Sequence, residues 1–116
     1  MEKKSFYDQL RPLLDEYAHE VYRVTKSFPR EELFGVTSQL RRASLSVVLN
    51  YIEGYARQRE KVFKNFVETA YGSLQESKYL LGFALKEGYF SQNDFLKLNS
   101  MAEKAGAMLW GTLQKM

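Results

Sequence analysis

Apolar residues recur every three or four positions along most of this chain, a spacing that predicts four amphipathic helices. In the first helix, from about Phe6 to Lys26, Phe6, Leu10, Leu13, Leu14, Tyr17, Val21 and Val24 share one face. Pro12 lies within that pattern, so the helix should kink there or start nearer Leu10. Phe28-Pro29 ends the segment, because a residue before proline avoids the α region. Pro29 can open a short Pro-Arg-Glu-Glu turn with acidic residues near its N-terminus. Gly35 interrupts, and Thr37 or Ser38 can cap a second helix that runs to about Arg57. Residues 58–60 make the connection. A third helix, from about Glu60 to Lys86, carries Val62, Phe63, Phe66, Ala70, Leu74, Leu81 and Leu85, and Gly88 is its natural stop. Ser91-Gln-Asn-Asp94 resembles a capping box with Asp in place of Glu or Gln. The fourth helix follows to about Leu113. No β-type alternation, internal repeat or linker divides the chain. The expected fold is all-α, an antiparallel up-down four-helix bundle forming one domain over residues 1–116.

The second helix, Ser38 to Arg57, is apolar around most of its circumference. At roughly 100° per residue, Leu40, Ser44, Val47, Val48, Tyr51 and Tyr55 form one broad face suited to a bundle core. Leu45, Leu49 and Ile52 form a second apolar sector beside it. One core needs only one face from each helix, and contiguous exposed apolar patches are uncommon. The second sector is therefore expected to be a subunit interface, unless a neighbouring segment folds over it. Gln39, Arg42, Ser46, Asn50, Glu53 and Arg57 make a narrow polar stripe. Gln39, Ser46, Asn50 and Glu53 read as a structural network fixing helix register, with Glu53 paired to a basic group such as Arg42 of another helix or subunit. The other reading is an exposed binding surface. Gly54 permits close backbone approach.

Charge changes the picture modestly. The net charge is +3, and residues 1–64 carry 12 basic and 9 acidic residues while the remainder balances, so the excess and all seven arginines lie in the first half. That asymmetry fits a polyanion partner, though Lys and Arg also simply solvate helix faces. The sequence has no cysteine, so disulfides and thiolate sites are excluded. The start Met-Glu-Lys-Lys-Ser-Phe-Tyr-Asp lacks the apolar core of a signal peptide, and no apolar run is long enough for a membrane span. A cytoplasmic location is the expectation.

No catalytic chemistry is legible. Glu16-Tyr-Ala-His19 has the Glu-x-x-His spacing of di-iron bundles, but such sites need two of these motifs and His19 is the only histidine. A Ser-His-Asp arrangement would depend on the same residue, and no phosphate-cradling glycine loop is present. The expectation is no enzyme, no metal and no cofactor. Tyr and Phe, eight each, could stack bases, but at helical spacing they are more often core. Tyr22, Tyr89 and Trp110 are the aromatics whose exposure matters.

The second helix also carries a family resemblance. Ser38, Gln39, Leu40, Arg41, Arg42, Ala43, Ser46, Val47, Asn50, Glu53, Gly54 and Tyr55 match the pattern of the four helix bundle protein family, also called 23S rRNA intervening-sequence proteins. Phe28-Pro29-Arg-Glu-Glu-Leu-Phe-Gly35, Tyr71-Gly72-Ser73-Leu74-Gln75-Glu76 and Gly88-Tyr89 are similar to further motifs of that family. Val48 stands where the family has proline, Tyr51-Ile52 where it has Ile-Ala, and Tyr71 where it has Arg. The resemblance implies a four-helix protomer assembled as a ring-like homopentamer, without established enzymatic activity. It is similar to the accessory variability proteins of retroelements, which bind nucleic acid and a reverse transcriptase. Five copies of +3 would make +15, and salt-sensitive phosphate binding would follow.

The expected function is thus a non-enzymatic homo-oligomer that binds nucleic acid, RNA foremost. Arg41, Arg42, Arg57, Arg59, Lys61 and Lys64 are the expected phosphate contacts, with Arg42 alternatively structural. The other reading is an adaptor that recruits a protein such as a reverse transcriptase without touching nucleic acid itself.

Overall fold

A computed structural model of the chain describes the backbone of residues 3–116 and the side chains from Phe6 onward. It contains four helices and, among the described residues, no strand: α1 (Lys3–Thr25), α2 (Val36–Arg57), α3 (Glu60–Lys86) and α4 (Gln92–Gln114). Each helix packs on its sequence neighbours, and α4 closes back onto α1. The result is a four-helix bundle measuring 42 × 24 × 19 Å.

Periodicity explains the core. Leu10, Leu14, Tyr17, Val21 and Val24 alternate at spacings of four and three along α1, and all are buried. Leu40, Val47, Val48 and Tyr51 of α2 meet them, with Phe63, Val67, Ala70, Leu74 and Leu81 of α3 and Leu98, Ala102, Ala105 and Leu109 of α4. A polar contact crosses the diagonal: the Tyr17 hydroxyl bonds Ser77 Oγ at 2.8 Å, joining α1 to α3. Ser77 Oγ also donates to the Leu74 carbonyl. Burial pushes the Tyr17 phenol up to about 12, against a smaller lowering by its bond to Ser77.

The helix ends show which local signals dominate. α1 does not start at Leu10; it runs through Pro12. Pro12 removes a bond only to the carbonyl of Asp8, an exposed residue whose carbonyl can turn to water. Neither Thr37 nor Ser38 caps α2. The helix starts earlier, at Val36, and Glu32 supplies the cap from the preceding 3₁₀ turn (Arg30–Glu32). Its Oε1 accepts from the Val36 amide at 3.0 Å, and its Oε2 accepts from the Tyr89 hydroxyl at 3.1 Å. Glu32 therefore ties the start of α2 to the far end of α3. Gln58, in the left-handed region, and Arg59 alone connect α2 to α3, as expected. Gly88, with φ +80°, ends α3 in a Schellman motif: Tyr89 N bonds Ala84 O and Gly88 N bonds Leu85 O. Ser91 Oγ accepts from the Asp94 amide and caps α4. The Asp94 carboxylate instead meets Arg23 Nη2 at 2.8 Å, so α4 is pinned to α1.

Candidate nucleic-acid interface

The six basic residues expected to contact phosphate do not form one patch. Arg57, Arg59, Lys61 and Lys64 gather where α2 ends and α3 begins, and all four side chains are exposed. Arg57 Nε is committed to Glu53 Oε2 at 2.7 Å, and its guanidinium lies 5.6 Å from the Phe66 ring centre. Among the described residues no ion pair engages Arg59, Lys61 or Lys64. Arg42 lies 15 residues before Arg57, about 22 Å away along the helix axis. It borders a polar groove between α2 and α3 with Gln39, Ala43, Ser46, Ser73 and Glu76. Arg41 faces the other way, toward α1. Its Nε donates to Thr25 Oγ1 at 2.8 Å, and its guanidinium covers the Tyr22 ring at 4.7 Å.

The polar stripe separates into two kinds of residue rather than one buried network. Ser46 and Asn50 are half-buried and bonded: Asn50 Nδ2 donates to the Ser46 carbonyl and to Ser46 Oγ, which meets Ser73 Oγ of α3 at 2.8 Å. Gln39 and Glu53 are exposed. Glu53 does not reach another helix; it pairs with Arg57 one turn along its own. The register role thus rests on Ser46, Asn50 and Ser73, and Ser73 is not among the residues that the azimuths of α2 select. Its neighbour Ser46 lies on α2, so only the packing of α3 reveals it.

The second apolar sector is also uneven. Leu45 is 37% and Leu49 60% exposed, so Leu49 is the more open of the two. Ile52 is half-buried and packs against the core. Other apolar surfaces carry no sequence signal. Phe34 is 92% exposed just before α2, and Tyr79 and Phe83 are exposed together on α3. Tyr22, Tyr89 and Trp110 differ in exposure. Tyr22 is half-buried beneath Arg41, Tyr89 is half-buried and bonded to Glu32, and Trp110 is exposed beside Tyr71.

At the cationic end the helix termini leave a hollow of about 200 Å³, walled by Phe6, Tyr51 and Phe63, with Glu60 and Lys115 at its edge. Tyr7 stacks on Tyr55 and Tyr51 beside it, with ring centres 3.8 and 5.4 Å apart. Burial, the larger cause, and the neighbouring phenols raise the Tyr51 phenol well above its usual range. His19 lies on the solvent side of α1, its Nε2 3.6 Å from Asp15 Oδ1. Among the described residues no cluster of His, Asp or Glu could hold a metal, and no helix is long and apolar enough to cross a membrane.

These features define a small four-helix protein distinguished by a cationic end and uncovered apolar faces. A sequence model of the 23S rRNA-intervening sequence protein family matches residues 14–111, and the chain belongs to that family. A crystal structure of a protein of unknown function from the S23 ribosomal protein family of Bacteroides thetaiotaomicron has the same fold. The TM-score is 0.86 at 18% identity, covering 94% of this chain and 98% of that one. At that identity the likeness speaks for the fold alone. A comparison with curated proteins finds no match.

Proposed function

We propose that this protein is a non-enzymatic, self-associating four-helix protein that binds nucleic acid, RNA foremost, in the cytoplasm. The observation that carries the reading is the cationic end: Arg59, Lys61 and Lys64 are exposed within six residues and free of ion pairs among the described residues. Glu60 is the acidic side chain among them, and Glu53 is spent on Arg57. Such groups supply sequence-independent phosphate contacts. Membership of a family named for 23S rRNA intervening sequences supports RNA as the ligand class. Leu45 and Leu49 support self-association, with the pentamer implied by the family resemblance as the assembly that would repeat the cationic end five times. Arg41 and Arg42 lie outside this interface.

The test is binding of a labelled RNA across a salt series, with the triple variant Arg59→Gln, Lys61→Gln, Lys64→Gln alongside. Three lost phosphate contacts should flatten the slope of log K against log salt by about 2 to 3. Absence of RNA binding by the parent protein at low salt would falsify the reading. A second reading, an adaptor for a protein such as a reverse transcriptase, is favoured by the exposed Tyr79–Phe83 surface and by Phe34. Recovery of a polymerase from the native host in a pull-down that survives nuclease treatment would select it.

A further inference from the structure

The opposite end of the bundle holds a second cationic feature of a different kind. A cavity of about 380 Å³ lies between the end of α1, the 3₁₀ turn and the start of α2. Lys26, Arg30 and Arg41 line it, and among the described residues no acidic side chain does. Glu31, on the same turn, is exposed and outside the lining. Glu32 is occupied by the Val36 amide and the Tyr89 hydroxyl.

Two details separate this cavity from a surface patch of lysines. Arg41 is held in place: its Nε is bonded to Thr25 Oγ1 and its plane is covered by Tyr22. Thr25 is itself buried, with its hydroxyl donating to the Val21 carbonyl. Among the described residues, no hydrogen bond engages the two terminal nitrogens of Arg41. The second detail is Thr37. It lines the cavity, is only 3% exposed, and its Oγ1 has no hydrogen-bond partner among the described residues. A buried hydroxyl left unbonded is costly and rare; the Thr37 Oγ1 is enclosed as it stands, and a rotation of the Thr37 side chain toward the cavity would give it an acceptor there. Thr37 also lies in the first turn of a 22-residue helix, whose dipole favours negative charge and whose Val36 amide the Glu32 carboxylate already takes.

We propose that this cavity is a phosphate-binding site. Arg41 supplies a fixed fork of donors, Thr37 a hydroxyl donor, and Lys26 and Arg30 mobile cations that close over the ligand. Three cations and a hydroxyl match the charge and acceptor oxygens of a dianion better than those of a singly charged carboxylate. The phosphate can be free inorganic phosphate or the terminal phosphate of a nucleic acid strand. The site is about 30 Å along α2 from the cationic end, so it stands or falls separately from the interface proposed there.

Calorimetric titration of the whole protein with sodium phosphate at constant ionic strength tests this, with sodium acetate as the carboxylate control. Saturable binding of phosphate but not acetate is expected. Thr37→Val and Arg30→Gln should each weaken it about tenfold, while Lys104→Gln, exposed on α4, leaves it unchanged. Thr37→Val removes only an unbonded hydroxyl, so the fold should survive it. Oligonucleotides with and without a 5′-phosphate then separate the two sources. A preference for the phosphorylated strand, lost in Thr37→Val, assigns the site to a terminal phosphate. Equal binding of both strands, with inorganic phosphate still saturating, assigns it to the free ion. No saturable phosphate binding, or binding that both variants leave intact, overturns the proposal.

Discussion

Gly54→Ala adds one methyl group where α2 crosses α3, and two opposing effects decide its sign. In isolation alanine favours a helix interior over glycine by about 1 kcal/mol. Here, however, Gly54 is buried against α3, and an added Cβ would lie 2.6 Å from Phe66 Cβ and 3.2 Å from Phe63 Cδ1. The first contact is the harder one, because Phe66 Cβ is fixed to the backbone and no rotamer moves it. The two helices must separate by roughly an ångström to restore ordinary carbon contacts. Overpacking of that kind costs about 1–3 kcal/mol, so a net loss of up to about 2 kcal/mol is expected after the propensity gain. For a chain of 116 residues this lowers Tm by up to about 8 °C. Gly72→Ala is the matched control. Gly72 is inside α3 and exposed, and its added Cβ meets nothing within 4 Å. It should gain up to about 1 kcal/mol and raise Tm. Thermal unfolding followed by far-ultraviolet circular dichroism reads both. If Gly54→Ala raises Tm as Gly72→Ala does, the close crossing of α2 and α3 is wrong.

Two further predictions rest on other parts of the bundle. Ser77→Ala strands the buried Tyr17 hydroxyl and should cost about 1–3 kcal/mol, whereas Tyr17→Phe leaves Ser77 bonded to Leu74 and should cost about 1 kcal/mol or less; equal losses in urea unfolding would contradict this asymmetry. The same pair sets an alkaline limit. An unfolded tyrosine ionises near its ordinary 10.0 and the folded Tyr17 only near about 12, so its stabilisation is intact below pH 10 and lost as the pH rises from about 10 to about 12. That loss is on the order of 2–3 kcal/mol, and Tyr17→Phe should make the pH profile shallower across that window, with buried Tyr51 supplying the slope that remains. Leu49→Asp should leave protomer stability within about 0.5 kcal/mol, because the side chain is exposed, yet abolish self-association. Light scattering that finds the parent chain monomeric at micromolar concentration would remove the interface.

The helices themselves are legible in the amino-acid pattern, because the forces that place them are local. The expected span of α3 and its glycine stop match the observed helix and its Schellman motif, and the Ser91 cap of α4 is as its tetrapeptide indicates. The azimuths of α2 also locate the core face and the sector left outside it. They stop at the neighbours. That Glu32 rather than Thr37 or Ser38 caps α2 depends on Tyr89, 57 residues away, holding the other carboxylate oxygen. Arg41 and Arg42 are adjacent in sequence, yet one is fixed on α1 and the other borders the α2–α3 groove, because roughly 100° of rotation puts them against different helices.

The sequence alone determined that this chain makes four amphipathic helices, that α2 has more apolar surface than one core can use, and that its excess positive charge lies in the first half. Periodicity and composition carry that information without reference to any partner. Tertiary structure decided what each surface meets. It gathered Arg57 to Lys64 at one end, left Leu45 and Leu49 uncovered, and brought Lys26, Arg30, Thr37 and Arg41 around one cavity at the other. The reason is geometric: a helix sequence fixes the direction in which a side chain leaves its own axis, and only the packing of the other helices fixes what it meets there.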